Sequence, residues 1–230
     1  MGDNGKPRVA IIDYEMGNLF SVDHACKYVG LEPYMASDAS RIMESDAVIL
    51  PGVGAFGDAM RNLEKLDLVE PIKDFINSGK PFMGICLGMQ LLMSESEEFG
   101  RFNGFDIIKG NVVRFLSRGT CGNRVKVPHV GWNNIYYPCE EKMDTWRTTC
   151  LADIKAGEYM YFVHSFYVVP SDGLVILSLT EYEGTEFCSG LLYGNVVAFQ
   201  FHPEKSSKEG IKIYRNWAES VKRSREEKPA

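Results

Sequence analysis

The sequence predicts an α/β fold, a three-layer sandwich with a mostly parallel central sheet and an antiparallel extension in the second half. Short apolar runs in the first half, such as residues 8–13 and 47–50, alternate with stretches of helical periodicity. Strands that alternate with helices pair in parallel through right-handed crossovers. Later segments alternate apolar and polar side chains and are separated by turns such as residues 193–195, Tyr-Gly-Asn. That pattern is typical of antiparallel hairpins.

The predicted elements follow one another along the chain. In the first half we expect strands at residues 8–13, 32–35, 47–50 and 81–85, and helices at 19–29, at 57–77 and after residue 86. In the second half we expect strands at 106–108, 112–115, 159–163, 174–180, 187–192 and 195–201, and a closing helix at 206–221. Residues 117–150 show no clear periodicity, and a long loop in a compact domain is usually functional or disordered.

Composition and charge exclude several classes of function. The 230 residues fit one domain, which we place at residues 8–222 between a flexible leader, 1–7, and a frayed tail, 223–230. A net charge of −6 provides no basic surface for nucleic acid or membrane, and no apolar run approaches the roughly 20 residues that span a bilayer. The six cysteines form no CxxC pair. We therefore expect no metal, no cofactor and a cytoplasmic location.

Residues 84–90, Gly-Ile-Cys-Leu-Gly-Met-Gln, carry the first chemical signal. The Gly84-x-Cys86-x-Gly88 spacing is that of a nucleophile elbow, a strained turn between strand and helix that leaves no room for larger flanking side chains. The Cys86 thiol would lie at a helix N-terminus, where the dipole favours the thiolate. A buried structural cysteine fits this short pattern equally well.

Residues 200–204, Gln-Phe-His-Pro-Glu, provide the deciding signal far along the chain. His202 and Glu204 are two apart on an extended segment, so their side chains point to the same side. The imidazole can face Cys86 while the carboxylate holds its other nitrogen. Cysteine, histidine and glutamate in this order on an α/β sheet predict an acyl-transfer triad.

Other positions near this triad allow more than one interpretation. The Gly-rich loop with Gly52 and Val53 could supply oxyanion-binding N–H groups together with Leu87, or cradle phosphate, or be a tight turn without a ligand. Gln90 lies one helical turn after Cys86 and could bind a polar substrate or be an ordinary exposed residue. Trp132, in the irregular segment, is typical of an anchor for a partner protein.

Two more groups have ordinary explanations from their local pattern. His164 lies in an aromatic strand that is mostly core, and we discount it as a catalyst because one histidine already completes the triad. The acidic residues Glu95, Glu97 and Glu98 are typical of a solvated helix end.

Residues 51–54 (Pro-Gly-Val-Gly), 84–90 and 201–204 together resemble the class I, or triad, glutamine amidotransferases. Within that family the chain is most similar to the glutaminase subunits of imidazole glycerol phosphate synthase, from histidine biosynthesis. Three features favour that branch: Met89, where many members have His, and residues 128–133 and 199–206. The resemblance covers residues 8–217.

The resemblance implies a role for each matching position. Cys86 would be the nucleophile, His202 the general base and acid, and Glu204 its orienting carboxylate. Gly52, Val53 and Leu87 would bind the oxyanion. Residues that would hold the amino-acid end of glutamine are Gln90, Glu98, His164 and Ser165. Residues that would face the synthase partner, a (β/α)₈ barrel, are Asn18, His129, Trp132 and Lys205.

Two places depart from the family pattern. Glu15 stands in a turn where the family usually has Gly, and with a positive φ it would cost about 1 kcal/mol or more there. Residues 117–124 are less regular than expected. Both departures concern the identity of the partner and not the chemistry.

The expected activity is hydrolysis of L-glutamine to glutamate and ammonia through a γ-glutamyl thioester, with the ammonia passed to the barrel subunit. The same chemistry could instead supply a paralogous partner that amidates a sugar in surface-polysaccharide biosynthesis. A stand-alone cysteine hydrolase and a non-catalytic binding scaffold are further alternatives. We expect the isolated chain to be a poor glutaminase, because the Gly52–Val53 loop needs a partner to direct its N–H at the oxyanion.

Overall fold

The computed structural model describes residues 5–116 and 125–227. Parts of the predicted leader (1–4) and tail (228–230), and the irregular residues 117–124, lie outside the described residues. The helices are α1 (Leu19–Tyr28), α2 (Ala39–Met43), α3 (Phe56–Lys65), α4 (Val69–Asn77), α5 (Leu87–Leu91), α6 (Lys142–Arg147) and α7 (Ser207–Glu226), with short 3-10 turns at Gly173–Val175 and Pro203–Lys205.

The strands alternate with these helices in the first half and follow one another in the second. They are β1 (Arg8–Ile12), β2 (Glu32–Ala36), β3 (Ala47–Leu50), β4 (Phe82–Ile85), β5 (Met93–Ser96), β6 (Phe102–Asn103), β7 (Ile108–Arg114), β8 (His129–Ile135), β9 (Glu158–His164), β10 (Phe166–Pro170), β11 (Ile176–Tyr182), β12 (Thr185–Tyr193) and β13 (Val196–Phe199).

One large sheet holds most of these strands, and its two halves differ in strand direction. Neighbours in the order β2-β1-β3-β4-β13 run parallel. The order continues as β12-β10-β7-β5-β6, where antiparallel pairs predominate, and β11 also pairs with β12. Strands β8 and β9 form a separate antiparallel ribbon. The predicted parallel centre with an antiparallel extension is confirmed.

Side-chain alternation in β1 shows how the sheet separates two helical layers. Val9 and Ile11 belong to a core shared with α1 and α7, whereas Ala10 and Ile12 belong to a core shared with α3 and α4. Because successive side chains of a strand point to opposite faces, a strand that is apolar throughout is buried on both sides. This is the predicted three-layer arrangement. Within the described residues no helix is long and apolar enough to cross a bilayer.

Two predicted helices are wrong in extent. The predicted helix at 57–77 is two helices, because Asp67 takes a left-handed φ of +54° and Leu68 N–H bonds back to Leu63 C=O at 2.9 Å. This is the hydrogen-bond pattern of a Schellman helix end. The helix after Cys86 stops at Leu91, whose carbonyl accepts from Phe105 N–H at 2.8 Å. The acidic residues that follow therefore lie in and just after β5, not at a helix end.

The segment 117–150 was also misassigned in its described part. Residues 129–135 form β8, which pairs along its whole length with β9, and residues 142–147 form α6. Gly131, with a φ of +138°, and two asparagines obscure the strand pattern in the sequence. The final helix reaches Glu226, so the predicted boundary at 222 falls inside it, and Arg225 Nη1 donates to Gly5 C=O at 2.7 Å.

Candidate active site

Cys86 lies between β4 and α5 with a φ of +54° and a ψ of −107°. Its N–H donates to Phe199 C=O of β13 at 2.7 Å. A methyl group on Gly88 would come within 1.8 Å of the Leu50 carbonyl oxygen, so only glycine fits after the cysteine. The elbow geometry that the spacing predicts is therefore present. The left-handed φ at a non-glycine residue is a strained conformation of the kind that clusters at functional sites.

His202 and Glu204 lie next to this elbow, after the end of β13. His202 N–H donates to Tyr161 C=O at 2.9 Å, and its Nδ1 lies 2.8 Å from Glu204 Oε1. Both side chains are almost fully buried. Nε2 of His202 makes no hydrogen bond to any other described residue. One ring nitrogen is thus held by the carboxylate, and the other is available for proton transfer.

The charges around His202 determine its protonation. Burial lowers the pKa of His202, but the Cys86 thiolate and the Glu204 carboxylate outweigh that effect and raise the pKa to about 10. An imidazolium at this position can protonate a leaving group, and it would stabilise a thiolate formed beside it for nucleophilic attack. The structure thus brings Cys86, His202 and Glu204 together as the sequence predicts.

A cavity of about 250 Å³ opens beside Cys86. Most of the positions that the resemblance assigns to substrate and oxyanion line it, whereas Gly52, His202 and Glu204 do not. The lining residues are Val53, Gly54, Cys86, Leu87, Gln90, Glu98, Pro128, Val163, His164, Ser165 and Phe166.

Gln90 and Glu98 present acceptors to this cavity. Both N–H bonds of the Gln90 amide are used, since Nε2 donates to Phe166 C=O at 3.0 Å and to Gln200 Oε1 at 3.1 Å. Only its oxygen is left for a ligand. Glu98 Oε2 accepts from Phe56 N–H at 2.6 Å, and burial raises the pKa of this carboxyl. The pair suits a ligand's ammonium group.

The predicted oxyanion hole is filled by the protein itself. Leu87 N–H donates to Gly52 C=O at 3.4 Å. Tyr14 Oη, fully buried, donates to the preceding carbonyl, Pro51, at 2.9 Å and so anchors the start of this loop. The donor expected to bind an oxyanion is therefore occupied by a backbone carbonyl in this conformation.

The turn before α1 packs against the same loop. Glu15 has a φ of +67°, so the condition under which Glu is costly there is met. Its N–H donates to Asp13 Oδ1 at 3.2 Å. Gly17 also lies close to the loop, since a methyl group added to it would lie 3.6 Å from Gly52 Cα.

The comparisons with known proteins agree with this geometry. The family model "Glutamine amidotransferase class-I" matches residues 10–220. The chain belongs to this family. It is 48% identical to imidazole glycerol phosphate synthase subunit HisH of Aquifex aeolicus, over 91% of this chain and 95% of that one. It is 49% identical to the subunit of the same name from Caldanaerobacter subterraneus subsp. tengcongensis, over 93% of this chain and 98% of that one.

Solved structures of lower identity share the fold of this amidotransferase. PurLQS from Thermotoga maritima matches with a TM-score of 0.69 at 21% identity, covering 94% of this chain and 99% of that one. A glutamine amidotransferase from the same organism matches with a TM-score of 0.60 at 18% identity, covering 95% of this chain and 86% of that one.

Two further buried histidines, His129 and His164, form a pair near the pocket. His164 Nδ1 lies 2.8 Å from Phe166 C=O, so this nitrogen is the donor and Nε2 the acceptor. His129 Nδ1 lies 3.0 Å from that Nε2, and Asn133 Nδ2 lies 3.4 Å from His129 Nε2. Burial lowers the pKa of His129 to about 4 and that of His164 to about 3. The pair is therefore neutral at physiological pH.

His129 was wrongly predicted to be part of the partner-facing surface. It is 3% exposed, because alternation along β8 directs it to the inner face of the β8–β9 ribbon. Trp132, on the outer face, is 52% exposed and packs edge-on against Tyr161 at a ring distance of 6.0 Å. Lys205 is exposed, and Asn18 caps α1 by accepting from Ser21 N–H.

Sequence reasoning missed two apolar residues beside Trp132. Val130 is 52% and Tyr159 is 57% exposed, and the register places both on the outer face of the ribbon. Had β8 been recognised as a strand, its period of two would have grouped Val130 with Trp132. Gln200 was missed as well, although it lies inside a quoted motif.

Proposed function

We propose that this amidotransferase hydrolyses L-glutamine to glutamate and ammonia through a γ-glutamyl thioester on Cys86. The observation that carries the proposal is the strained Cys86 beside a buried His202–Glu204 pair, at a cavity with acceptors for an α-amino group. The thiolate adds to the side-chain amide carbon, and the His202 imidazolium gives its proton to the departing ammonia. The neutral imidazole then takes a proton from water, which hydrolyses the thioester.

The ammonia goes to a separate synthase/cyclase subunit of histidine biosynthesis, a (β/α)₈ barrel, in a heterodimer with a sheltered ammonia passage. The relatives named as imidazole glycerol phosphate synthase subunits support this assignment. The hydrolase step would take place on this chain and the lyase step on its partner. The free thiols of the five described cysteines favour a reducing compartment, the cytoplasm.

The outer face of the β8–β9 ribbon is the surface we assign to the partner. Val130, Trp132 and Tyr159 form an exposed apolar patch there, and the backbone carbonyl of Tyr161 in the same ribbon holds His202. An exposed aromatic anchor typically contributes about 2 kcal/mol or more to binding. Trp132→Ala should therefore weaken binding to the histidine-pathway barrel by at least roughly tenfold.

Titration of the labelled chain with purified barrel proteins measures this effect. Leu174→Ala is the matched control, because Leu174 is an exposed apolar residue outside the ribbon. Unchanged affinity in the Trp132 variant would exclude the ribbon as the docking surface. Binding to a sugar-amidating barrel and not to the histidine-pathway barrel would assign the chain to the other pathway.

The filled oxyanion hole supports the expectation that the isolated chain is a poor glutaminase. The Gly52 carbonyl must leave Leu87 N–H before that N–H can bind an oxyanion. A partner loaded with its acceptor would favour the rearranged loop. Glutaminase rates of the chain alone and with the loaded barrel test this. Equal rates in the two samples would exclude gating by the partner.

A further inference from the structure

We propose that Gln200 is a catalytic residue that donates a hydrogen bond to the Cys86 sulfur and stabilises the thiolate. Gln200 directly follows β13 and is fully buried. Its Nε2 lies 3.6 Å from Cys86 Sγ, within the range of a hydrogen bond to sulfur. Its backbone N–H donates to Ser189 C=O at 3.0 Å, which fixes the origin of the side chain. The inference rests on the proposed role of Cys86 as the nucleophile.

The orientation of the Gln200 amide follows from one backbone carbonyl. Phe166 C=O can only accept, so the group of Gln90 that lies 3.0 Å from it must be the NH₂. The same NH₂ lies 3.1 Å from the nearer end of the Gln200 amide, which must therefore be the oxygen. The other end, an NH₂, is left facing the sulfur. A flipped Gln200 would set two donors against each other.

A buried thiolate needs such a donor. Cys86 is 5% exposed, so ionisation of its sulfur finds little water to solvate the charge. The His202 imidazolium is one charged neighbour of the sulfur. The side-chain N–H of Gln200 adds a dipole that is fixed in place and directed at the sulfur. Hydrogen bonds to ions are roughly twice as strong as those between neutral groups. The bond weakens when the sulfur becomes a neutral thioester and is restored when hydrolysis regenerates the thiolate.

This role has a pH signature that simple packing lacks. A donor that favours the thiolate matters most where the thiolate is scarce, at the acid end of the profile. Where the thiol is fully ionised, removing the donor should lower the rate less, because a less stabilised thiolate is more nucleophilic. A residue that only filled space would change the rate by one factor at every pH.

The test is the pH dependence of iodoacetamide alkylation of the full chain, with the labelled cysteine identified by mass spectrometry. Gln200→Met keeps the size of the side chain and removes the donor. Its alkylation midpoint should move up by about one pH unit, which corresponds to about 1.4 kcal/mol. Gln200→Glu should move it further, because a carboxylate repels the thiolate. Gln90→Met removes the group that orients Gln200 and should give a smaller shift in the same direction.

The outcomes separate this proposal from the proposed function. Labelling of Cys86 with an unchanged midpoint in the folded Met and Glu variants would overturn the role of Gln200 alone. A rate of Cys86 alkylation at neutral pH no higher than that of the exposed Cys139 in the unaltered chain would overturn Cys86 as the nucleophile. If Gln200→Met does not fold, Gln200→Glu decides, because it keeps the size of the side chain and replaces the donor NH₂ by an acceptor oxygen.

Discussion

Two buried histidine environments lie near the Cys86 pocket, and the pKa of the histidine moves in opposite directions in them. His202 has a carboxylate and a thiolate as neighbours, and its pKa rises to about 10 although burial acts to lower it. His129 and His164 have each other, an amide and a backbone carbonyl, and their pKa values fall to about 4 and about 3. The difference shows that the partner atoms, and not the depth of burial, decide whether a histidine here handles protons.

Removing the Cys86 sulfur should have the largest effect on the difference between His202 and the His129–His164 pair. Cys86→Ala should reduce glutamine hydrolysis by about six orders of magnitude, as loss of a triad nucleophile does, and should lower the pKa of His202. Glutaminase assays and NMR titration of labelled histidines measure the two effects. Cys139→Ala is the matched control, because Cys139 is an exposed thiol away from the pocket. Retained activity in the Cys86 variant would contradict the thioester mechanism.

Removing the carboxylate should have the next largest effect. Glu204→Gln keeps the shape beside His202 Nδ1 but not the charge, so the pKa of His202 should fall. The glutaminase rate at neutral pH should drop by about 10²- to 10⁴-fold, as when the orienting acid of a triad is replaced. Glu209→Gln is the control, since Glu209 is a largely buried carboxylate that pairs with Lys212 instead. Equal rates in both variants would show that Glu204 does not orient the imidazole.

The neutral pair should make the protein sensitive to acid. A histidine whose pKa is lowered on folding stabilises the protein fully above its unfolded pKa of about 6.5. That stability is lost as the pH falls towards 4 and 3, because the unfolded chain takes up protons first. The free energy of unfolding should therefore decline by about 1.4 kcal/mol per pH unit for each histidine.

Denaturant titrations at pH 7 and pH 5 measure this decline. The double variant His129→Gln, His164→Gln should show a smaller difference between the two pH values. His24→Gln, at an exposed position of α1, serves as the control. His202 makes the opposite contribution, present below about pH 6.5 and lost as the pH rises through about 10. An unchanged acid decline in the double variant would mean that other groups cause it.

The smallest expected effect comes from giving the neutral pair a charge. Asn133→Asp replaces a donor to His129 Nε2 by a carboxylate, and should raise the pKa of His129 by about one unit. NMR titration of the ring protons measures it. Asn134→Asp adds the same charge on the other face of β8 and should leave His129 nearly unchanged. Equal shifts in the two variants would show that general charge, not the contact, controls this histidine.

The parts of the site that were predictable are those encoded by short spacings. The Gly-x-Cys-x-Gly elbow and the His-x-Glu pair are local geometries, and the two motifs together predicted the triad. His129 was misassigned because its direction depends on a strand that Gly131 obscures. Glu98 became a pocket residue only through β5, which tertiary hydrogen bonds impose.

Gln200 shows a different limit. Its role depends on two contacts of Gln90, one with the Phe166 carbonyl and one with Gln200 itself. Gln90 is 76 positions from Phe166 and 110 positions from Gln200 in the sequence. No spacing in the sequence records which end of an amide faces a sulfur. The fold class, by contrast, depends on many repeated signals along the chain, and single errors such as the break at Asp67 did not change it.

The hydrogen bond from Leu87 N–H to the Gly52 carbonyl links the glutaminase rate of the chain alone to the stimulation that a partner can produce. If the open loop is rare in the resting chain, its population sets both the idle loss of glutamine and the largest stimulation that any partner can produce. Each 1.4 kcal/mol by which the closed loop is favoured divides the idle rate by about ten and multiplies the possible stimulation by the same factor. A variant that hydrolyses less glutamine without its partner is then also a variant that the partner can stimulate more.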